Sequence, residues 1–304
     1  MVAFRVIFRH CAFRVTAARH YCRALPARAR PVVAVLALCL LAHPLDAQLA
    51  TLSHRRAAFR SGSTAPDDIS GLVLWLKADE ITGLSDGDGV SSWPDSSAEN
   101  NDASQANAPD RPTYETNELN GLPVVRFDGA WAYMTVAYDA GLALTGNITC
   151  FAVASWDNFS SGDHETVWAF GAHSNNNLNV IFGKYDGDVL KFTYNDGSFR
   201  NVLESSSWTG TNTTRYIVAW RVDQDDDDVE FRVDGATEST VADANNLNIQ
   251  TGDNTGGAVG ANLTAGELFD GDIAEIILYS RYLTAAEVED VEQYLSTKYN
   301  ISLP

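Results

Sequence analysis

Short hydrophobic runs separated by turn-forming residues dominate the chain from Gly71 onward. The runs are rich in Val, Ile, Phe, Tyr and Trp, residues that fit the pleated, half-buried surface of a sheet. Eight runs are predicted to be strands, at residues 72–77, 122–127, 148–156, 179–185, 189–194, 215–222, 229–233 and 272–279.

Alternation of apolar and polar residues is clearest at residues 229–233. Val229, Phe231 and Val233 share one face of this strand, and Glu230 and Arg232 share the other, so one face is expected to be buried and one exposed to water. Gly-containing turns divide the runs at residues 86–89, 185–188, 195–198, 233–236 and 255–258. Many antiparallel strands with almost no helix predict an all-β fold, a two-sheet antiparallel sandwich or jelly roll.

One helix is predicted at the C-terminus. Thr284, followed by Glu287 three residues later, forms a capping-box pattern. Apolar residues then recur at helical spacing, at Val288, Val291, Tyr294 and Leu295, before Lys298 in the last turn. This apolar stripe is expected to pack on the sandwich.

The N-terminal residues 1–47 carry the pattern of a secretory signal peptide. An Arg-rich stretch precedes an apolar run at 31–42, and cleavage is predicted after Ala47. A membrane anchor is the alternative, but this run is too short to cross about 30 Å of hydrocarbon as a helix. Residues 48–70 are predicted to be a linker and residues 71–304 one domain. The protein is therefore expected to be secreted, periplasmic or on the cell surface, with no membrane span after cleavage.

Three of the four cysteines, Cys11, Cys22 and Cys39, lie in the predicted leader. Cleavage would leave Cys150 alone, so no internal disulfide is expected in the mature protein. An exported chain without disulfides fits a bacterial periplasm or cell exterior.

Charge is divided unevenly along the chain. Residues 1–60 contain ten Arg and one acid, whereas residues 61–304 contain 11 Lys and Arg against 39 Asp and Glu, a net charge of −28. An acidic body of this kind repels phosphate backbones, so a nucleic-acid partner is not expected.

The ends of the predicted domain resemble a known family. GLVLWLKADEITGLSDGDGVSSWPDSS and LPVVRFDG are similar to the opening of the concanavalin A-like or laminin-G-like jelly rolls of secreted bacterial proteins, and GDIAEIILYSRYLTAAEVEDVEQYLSTKY is similar to their closing strand and helix. The resemblance spans roughly residues 71–303. It implies a carbohydrate- or protein-binding module, often with Ca²⁺. One departure is local: where the family usually has Gly after the W-x-D-x-S segment, this chain has Ser97 and Ala98.

No catalytic residue is assigned. The densest acidic string of the terminal segment, residues 287–292, falls on the predicted helix, where acids near the N-terminus favour the helix dipole and face water. His164 and His173 flank a hydrophobic run in predicted loops and are interpreted as surface residues. Motifs for nucleophilic catalysis, zinc proteases and phosphate binding are absent from the sequence.

Calcium is the candidate cofactor. Ca²⁺ takes six to eight oxygen ligands, which Asp side chains and carbonyls of Gly-containing loops supply. Asp86 and Asp88 in the S-D-G-D-G turn are the candidate ligands, with Asp95 and Asp102 as further contributors if the loop folds back. Ordinary turn chemistry is the alternative for Asp86 and Asp88. The acidic string at 223–228 is interpreted as a solvated hairpin turn.

Glycan-binding sites usually present an aromatic plane flanked by polar side chains. Trp131 and Tyr133 follow the Asp128-Gly129 turn, and Trp208 lies in a Ser-rich loop near Asn212. These four residues, Trp131, Tyr133, Trp208 and Asn212, are the candidate ligand-binding residues, with their aromatic rings expected to be exposed. Four other tryptophans lie within predicted strands and are expected in the core: Trp75, Trp156, Trp168 and Trp220.

The sequence thus predicts a secreted, non-catalytic module that binds an extracellular glycan or protein, with calcium as a candidate aid. Two alternatives stay open. One is a glycosidase or lyase on the same fold, and the other is a structural or adhesion module without a small-ligand pocket.

Overall fold

The computed structural model describes residues 64–137, 142, 144, 146–158, 164–171, 179–185, 189–195, 200–205, 208, 210–241, 247, 249 and 256–304. The predicted signal peptide, most of the predicted linker and His173 lie outside the described residues. All statements about the fold below concern the described ranges.

Nine strands form the first antiparallel sheet, which we call sheet A. They are β1 (Leu72–Lys77), β2 (Asp88–Gly89), β5 (Thr113–Leu119), β6 (Leu122–Asp128), β8 (Ile148–Trp156), β13 (Tyr216–Asp223), β14 (Asp228–Val233), β15 (Ala236–Val241) and β17 (Asp270–Tyr279). Their order is β15-β14-β13-β8-β17-β6-β5-β2, and β1 also pairs with β17.

Eight strands form the second antiparallel sheet, sheet B. They are β3 (Ser92–Trp93), β4 (Ala103–Ser104), β7 (Met134–Val136), β9 (Glu165–Gly171), β10 (Asn179–Tyr185), β11 (Val189–Asn195), β12 (Arg200–Glu204) and β16 (Gly257–Val259), in the order β12-β11-β10-β9-β16-β7-β4-β3. All eight predicted strands are present. The predicted all-β, two-sheet antiparallel sandwich is confirmed.

Aromatic side chains from both sheets meet in the main core. The rings of Phe182 on sheet B and Trp220 on sheet A are 5.5 Å apart, and the two sheets share one continuous buried cluster. Trp156, Trp168 and Trp220 are fully buried, as predicted. Trp75 is also buried, on the opposite face of sheet A. Burial of these large apolar surfaces is the main stabilising contribution to the sandwich.

Helix α1 (Ala285–Tyr299) packs on the outer face of sheet A and makes a second core there. Its predicted capping box is confirmed, because the Thr284 side chain accepts from the Glu287 N–H while the Glu287 carboxylate accepts from the Thr284 N–H. Val288, Val291 and Leu295 are buried, as the helical stripe predicts.

The predicted water-exposed face of β14 is largely covered instead. Glu230 and Arg232 keep only 12% of their side-chain surface exposed, and Arg232 makes a two-pronged ion pair with Glu292 of α1, at 2.8 Å for each contact. The prediction of a wet face is therefore wrong for these two residues, because the helix lies over it.

A buried carboxylate, Glu275 of β17, joins sheet A to α1. Its Oε1 accepts a hydrogen bond from the indole N–H of Trp75. Its Oε2 accepts from Lys298 Nζ at 2.9 Å and from the Tyr299 hydroxyl at 2.7 Å. Lys298 also pairs with Asp79 at 2.7 Å. Burial, together with the Glu275 charge, raises the pKa of Tyr299 well above its ordinary value, so that its hydroxyl remains a donor.

Residues 64–70, predicted as linker, pack against the outer face of sheet A. Ile69 is buried in the second core, and the Tyr279 hydroxyl donates to the Pro66 carbonyl at 2.9 Å. The Thr64 hydroxyl donates to Asp290 of α1 at 3.1 Å. Residues 64–70 therefore contact the domain predicted to begin at Gly71, and the division into linker and domain stays a prediction.

Asp95 explains why the W-x-D-x-S segment forms a fixed loop. Its carboxylate accepts from the backbone N–H groups of Trp75, Ser97 and Asn101 at 2.7–2.9 Å, and from the Ser97 hydroxyl. Asp95 therefore ties the loop to strand β1, and Ser97 is itself a hydrogen-bond donor in this loop.

No described helix is long and apolar enough to cross a membrane.

Candidate functional site

Trp131 is the exposed large apolar side chain of the described residues, with 70% of its surface accessible. It lies in a turn after β6 that Asp128 fixes. The Oδ1 of Asp128 accepts from the N–H groups of Ala130, Trp131 and Ala132 at 3.0, 2.8 and 2.8 Å. Burial acts to raise the pKa of Asp128, but these donors hold it below its ordinary value, so the carboxylate is ionised at neutral pH. These hydrogen bonds fix the turn, and the turn leaves the indole exposed to solvent.

A groove of about 250 Å³ opens beside Tyr133, two residues after Trp131. It is lined by Tyr133, Thr135, Gly257, Ala258, Asn262, Leu263, Thr264 and Ala265, which offer hydroxyl, amide and small apolar groups and no charged side chain. Trp131 is not one of the lining residues, but two residues of chain span at most about 7 Å, so its Cα lies within that distance of the Cα of Tyr133. We call Trp131 together with these lining residues the Trp131 groove.

The backbone of Tyr133 is anchored from two sides. Its N–H donates to the Asp110 carbonyl at 3.1 Å, and its carbonyl accepts from Gln105 Nε2 at 2.9 Å. The backbone on the Tyr133 side of the groove is therefore fixed by hydrogen bonds within the protein itself.

The opposite wall of the groove is a loop organised by Asn262. Its Oδ1 accepts from the Thr264 N–H at 3.0 Å, the Thr264 hydroxyl at 2.7 Å and the Gly266 N–H at 2.9 Å. Ala265 and Glu267 have φ values of 56° and 51°, a left-handed conformation that costs non-glycine residues about 1–2 kcal/mol each. The hydrogen bonds of Asn262 offset part of that cost and fix the loop.

Glu267 fastens the far end of this loop to sheet B. Its carboxylate pairs with Lys191 at 2.8 Å and lies 3.7 Å from His164. Its carbonyl accepts from the Thr166 N–H at 2.9 Å, and the Thr166 hydroxyl donates to its side chain at 3.2 Å. Lys191 is fully buried, which reduces solvent screening of this ion pair.

Trp208 is buried, so the expectation that its ring is exposed is wrong. Only 9% of its surface is accessible, because the ring packs edge-on against Tyr216 at 5.0 Å and Trp156 at 6.2 Å. Asn212 is exposed, in a turn whose Thr213 N–H donates to the Trp156 carbonyl at 2.7 Å.

Trp131 and Tyr133 lie two residues apart in the chain, and Asn212 lies at the same end of sheet A. In the strand register, Asp270 of β17 lies opposite Asp128 of β6, and Gly271 lies opposite Trp156 of β8. Three strand spacings, about 14 Å, separate β6 from β13, whose start follows the Asn212 turn. Asn212 therefore lies to the side of the Trp131 groove.

Asp86 and Asp88 lie at the β2 edge of sheet A. The Oδ1 of Asp86 accepts from the Thr116 N–H at 2.7 Å and from its hydroxyl at 2.8 Å, and these bonds lower its pKa. Asp88 Oδ2 accepts from the Ser85 N–H at 2.7 Å. These carboxylates supply only part of the six to eight oxygens that Ca²⁺ takes, and no cluster of three or more His, Cys, Asp or Glu side chains among the described residues is arranged to hold a metal.

Calcium binding at Asp86 and Asp88 stays a prediction. Thermal unfolding in Ca²⁺ and in a chelator tests it, because a ligand that binds the folded state raises Tm. A higher Tm in Ca²⁺ would support the site, and equal Tm values would count against it.

Two acids of the string at residues 287–292, Glu287 and Glu292, make contacts that hold α1 in place. Glu287 caps α1 and pairs with Arg281 at 2.7 Å, and the Arg281 guanidinium is the main reason that the pKa of Glu287 falls to about 2. Glu292 pairs with Arg232. These contacts assign both carboxylates to the attachment of the helix.

Glu165 is the described carboxylate whose pKa rises to about 7. Its side chain is 3% exposed, and burial raises the pKa although Lys184 lies 3.1 Å away. The folded state therefore holds a proton that the unfolded chain releases near pH 4.5, so stability falls as pH rises from about 4.5 to about 7. We expect this carboxyl to account for a loss of about 3 kcal/mol across that window.

Urea unfolding of the wild type and Glu165→Gln between about pH 4.5 and pH 8 isolates this effect. The difference in unfolding free energy between the two proteins is expected to shift in favour of the variant with rising pH and to level off above about pH 7. A difference that does not change with pH would contradict the raised pKa.

Three solved structures share this sandwich at low sequence identity. Domain 4 of AbnA, a GH43 extracellular arabinanase from Geobacillus stearothermophilus, in complex with arabinotriose, has a TM-score of 0.51 and 17% identity, over 73% of this chain and 98% of that domain. The binding domain of Paraclostridial Mosquitocidal Protein 1 has a TM-score of 0.53 and 13% identity, over 74% of this chain and 52% of that chain.

The third is Trypanosoma rangeli sialidase in complex with sialic acid, with a TM-score of 0.50 and 17% identity, over 78% of this chain and 35% of that chain. No family model and no curated protein sequence matches the chain. These likenesses show the β-sandwich fold.

Proposed function

We propose that this protein is an exported glycan-binding module that holds sugar at the Trp131 groove without chemical conversion. The observation that carries the proposal is the pairing of a 70% exposed tryptophan on a rigid turn with an adjacent groove of hydroxyl and amide groups. An aromatic ring that a fixed turn leaves exposed is available to stack on a partner. An aromatic face beside a few fixed polar groups is the arrangement that sugar rings require.

The Trp131 ring and the groove would contact different parts of the sugar. The Trp131 indole would stack on the apolar C–H face of one sugar ring, as bases stack on aromatic platforms. Hydroxyls of Tyr133, Thr135 and Thr264 and the amide of Asn262 would exchange hydrogen bonds with sugar hydroxyls. At about 250 Å³ the groove is smaller than the clefts of about 300–1,000 Å³ that enclose drug-sized ligands, so it suits one ring of a longer chain.

The comparisons support a sugar ligand by analogy of fold. Domain 4 of AbnA is described in complex with arabinotriose and comes from an extracellular enzyme. Export of the present chain is part of the proposal and rests on the signal-peptide pattern of residues 1–47. N-terminal sequencing of the mature protein tests that part, with Gln48 as the expected first residue.

Binding to an oligosaccharide array, followed by calorimetry of the strongest hits, tests the proposed function. Reproducible binding without release of reducing or unsaturated ends would support a binding module. Release of such ends would favour the glycosidase or lyase alternative. Absence of binding to every glycan would favour the structural or adhesion alternative.

The amide of Asn262 gives a more specific prediction. Asn262→Asp keeps the Oδ1 acceptor that organises the loop but removes the Nδ2 donor, which has no hydrogen-bond partner in the described structure. We expect Tm to change little and affinity for the glycan to fall about fivefold to twentyfold, the cost of one lost hydrogen bond.

Asn262→Ala serves as the comparison, because it removes the loop acceptor as well. It is expected to lower both stability, by about 1–2 kcal/mol, and affinity. Equal affinity of the Asp variant and the wild type would show that the Asn262 amide does not donate to the ligand.

A further inference from the structure

We infer that the Trp131 groove takes an uncharged glycan and discriminates against sugars that carry a carboxylate or a sulfate. This inference rests on the proposed function and adds the chemical class of the ligand. Proteins hold sugar carboxylates and sulfates mainly with Lys or Arg side chains, whose N–H groups form charge-assisted hydrogen bonds to the anionic oxygens. A site for such sugars therefore needs a cation that is free to pair with the ligand.

Nearly every described cation already has a carboxylate partner. The structure describes the side chains of ten Lys and Arg residues, which do not include Arg200. Nine of these ten lie within 4.0 Å of an Asp or Glu oxygen: Lys77, Arg126, Lys184, Lys191, Arg215, Arg221, Arg232, Arg281 and Lys298. Moving one of them to a ligand would leave its carboxylate without that cation, and several of these carboxylates are buried. Such an exchange is unfavourable.

Arg111 is the remaining described cation, and it holds the protein backbone. Its guanidinium donates to the carbonyls of Gln105 at 2.9 Å and Ala106 at 3.1 Å. The Gln105 side chain in turn supports Tyr133. Arg111 is not among the residues that line the groove.

A carboxylate lies close to the Trp131 turn. The Oδ1 of Asp128 is 2.8 Å from the Trp131 backbone nitrogen. A ligand anion stacked on the Trp131 ring would approach the ionised Asp128. Residues 61–304 add a net charge of −28, which repels anions at longer range. Both the near and the distant charges therefore favour neutral sugars.

Matched pairs of neutral and anionic sugars test this inference with the purified protein. Lactose is compared with sialyllactose, methyl-esterified homogalacturonan fragments with de-esterified ones, and xylo-oligosaccharides with their glucuronic-acid-substituted forms. At about 20 mM NaCl the neutral member of a bound pair is expected to bind about tenfold more tightly or better, and the ratio is expected to shrink at about 200 mM NaCl because salt screens the repulsion.

Asp128→Asn is the matched variant. It keeps an Oδ1 acceptor for the turn and removes the nearest negative charge, so the neutral-to-anionic affinity ratio is expected to fall at low salt. An anionic sugar that binds as tightly as its neutral counterpart, or more tightly, would overturn the inference and leave the proposed function intact. If that preference disappeared in Arg111→Gln, Arg111 would be the ligand's cation. Absence of binding to every sugar would overturn the proposed function and this inference together.

Discussion

Replacing Trp131 by alanine is expected to lower glycan affinity about tenfold to hundredfold while leaving the unfolding midpoint unchanged. The indole is 70% exposed, so its removal takes little apolar surface from the folded core. Loss of a stacking aromatic typically costs about 1–3 kcal/mol of binding, which corresponds to this range of affinity. Calorimetric titration and thermal unfolding of the same samples measure the two effects separately.

Two further variants complete the comparison. One tests whether the position of the Trp131 ring matters for binding, and the other shows the stability cost of removing a buried ring. Asp128→Ala keeps Trp131 but removes the acceptor of three backbone hydrogen bonds, so binding is expected to weaken although the ring remains. Trp208→Ala removes a buried ring and is expected to cost about 3 kcal/mol or more of stability. Full affinity in the Trp131 variant would contradict the proposed site.

Replacing Glu275 by alanine is expected to destabilise the protein by about 3–5 kcal/mol. The substitution leaves Lys298, the Tyr299 hydroxyl and the Trp75 indole N–H without their shared acceptor in a buried site. Each buried donor left unsatisfied costs about 1–3 kcal/mol, and this applies to Trp75 and Tyr299, whereas Lys298 keeps its ion pair with Asp79. Urea unfolding, followed by far-ultraviolet circular dichroism, measures the change.

Glu80→Ala is the control for Glu275→Ala. It removes the same charge from an exposed ion pair, since Glu80 is 55% exposed and pairs with Lys77 at 3.2 Å. Its cost is expected to be at most about 1 kcal/mol. Similar costs for the two substitutions would show that the Glu275 network does not fasten α1 to sheet A.

The eight predicted strands are all present because their evidence is local. Each combines β-branched and aromatic residues with flanking turn residues, and each is buried on at least one face. Strand β5 was not predicted, because its sequence TYETNEL is mostly polar and lies toward an exposed edge of sheet A. Helix α1 was predictable for the same reason as the strands, since its capping box and apolar stripe lie within fifteen residues.

The sequence pattern does not predict contacts between residues that are far apart along the chain. Trp208 was expected in an exposed loop because Ser surrounds it, yet its ring reaches Trp156, more than fifty residues earlier in the chain. The outer face of β14 was expected to be wet because Arg232 and Glu230 alternate with apolar residues. The structure places α1 over that face, and only the fold reveals the ion pair with Glu292.

The candidate site was predictable in part. Trp131 and Tyr133 were identified because they follow an Asp-Gly turn, and the structure shows Trp131 exposed and Tyr133 lining a groove, while their role in binding stays a prediction. The groove wall at residues 262–266 was missed, although Asn262 followed by Thr264 and Gly266 is a sequence typical of side-chain-capped turns. The packing of this loop opposite Tyr133 depends on strand β16 pairing with β7, which no local pattern encodes.

The most direct test of a sugar site at the Trp131 groove is a nitrogen–proton NMR titration of the isotope-labelled protein with its best-bound neutral oligosaccharide. The account predicts that the largest shifts fall on the Trp131 indole N–H and on the backbone amides of Tyr133, Asn262 and Thr264. Shifts that concentrate instead at the Asn212 turn or at the β2 edge near Asp86, with the Trp131 indole unchanged, would contradict it.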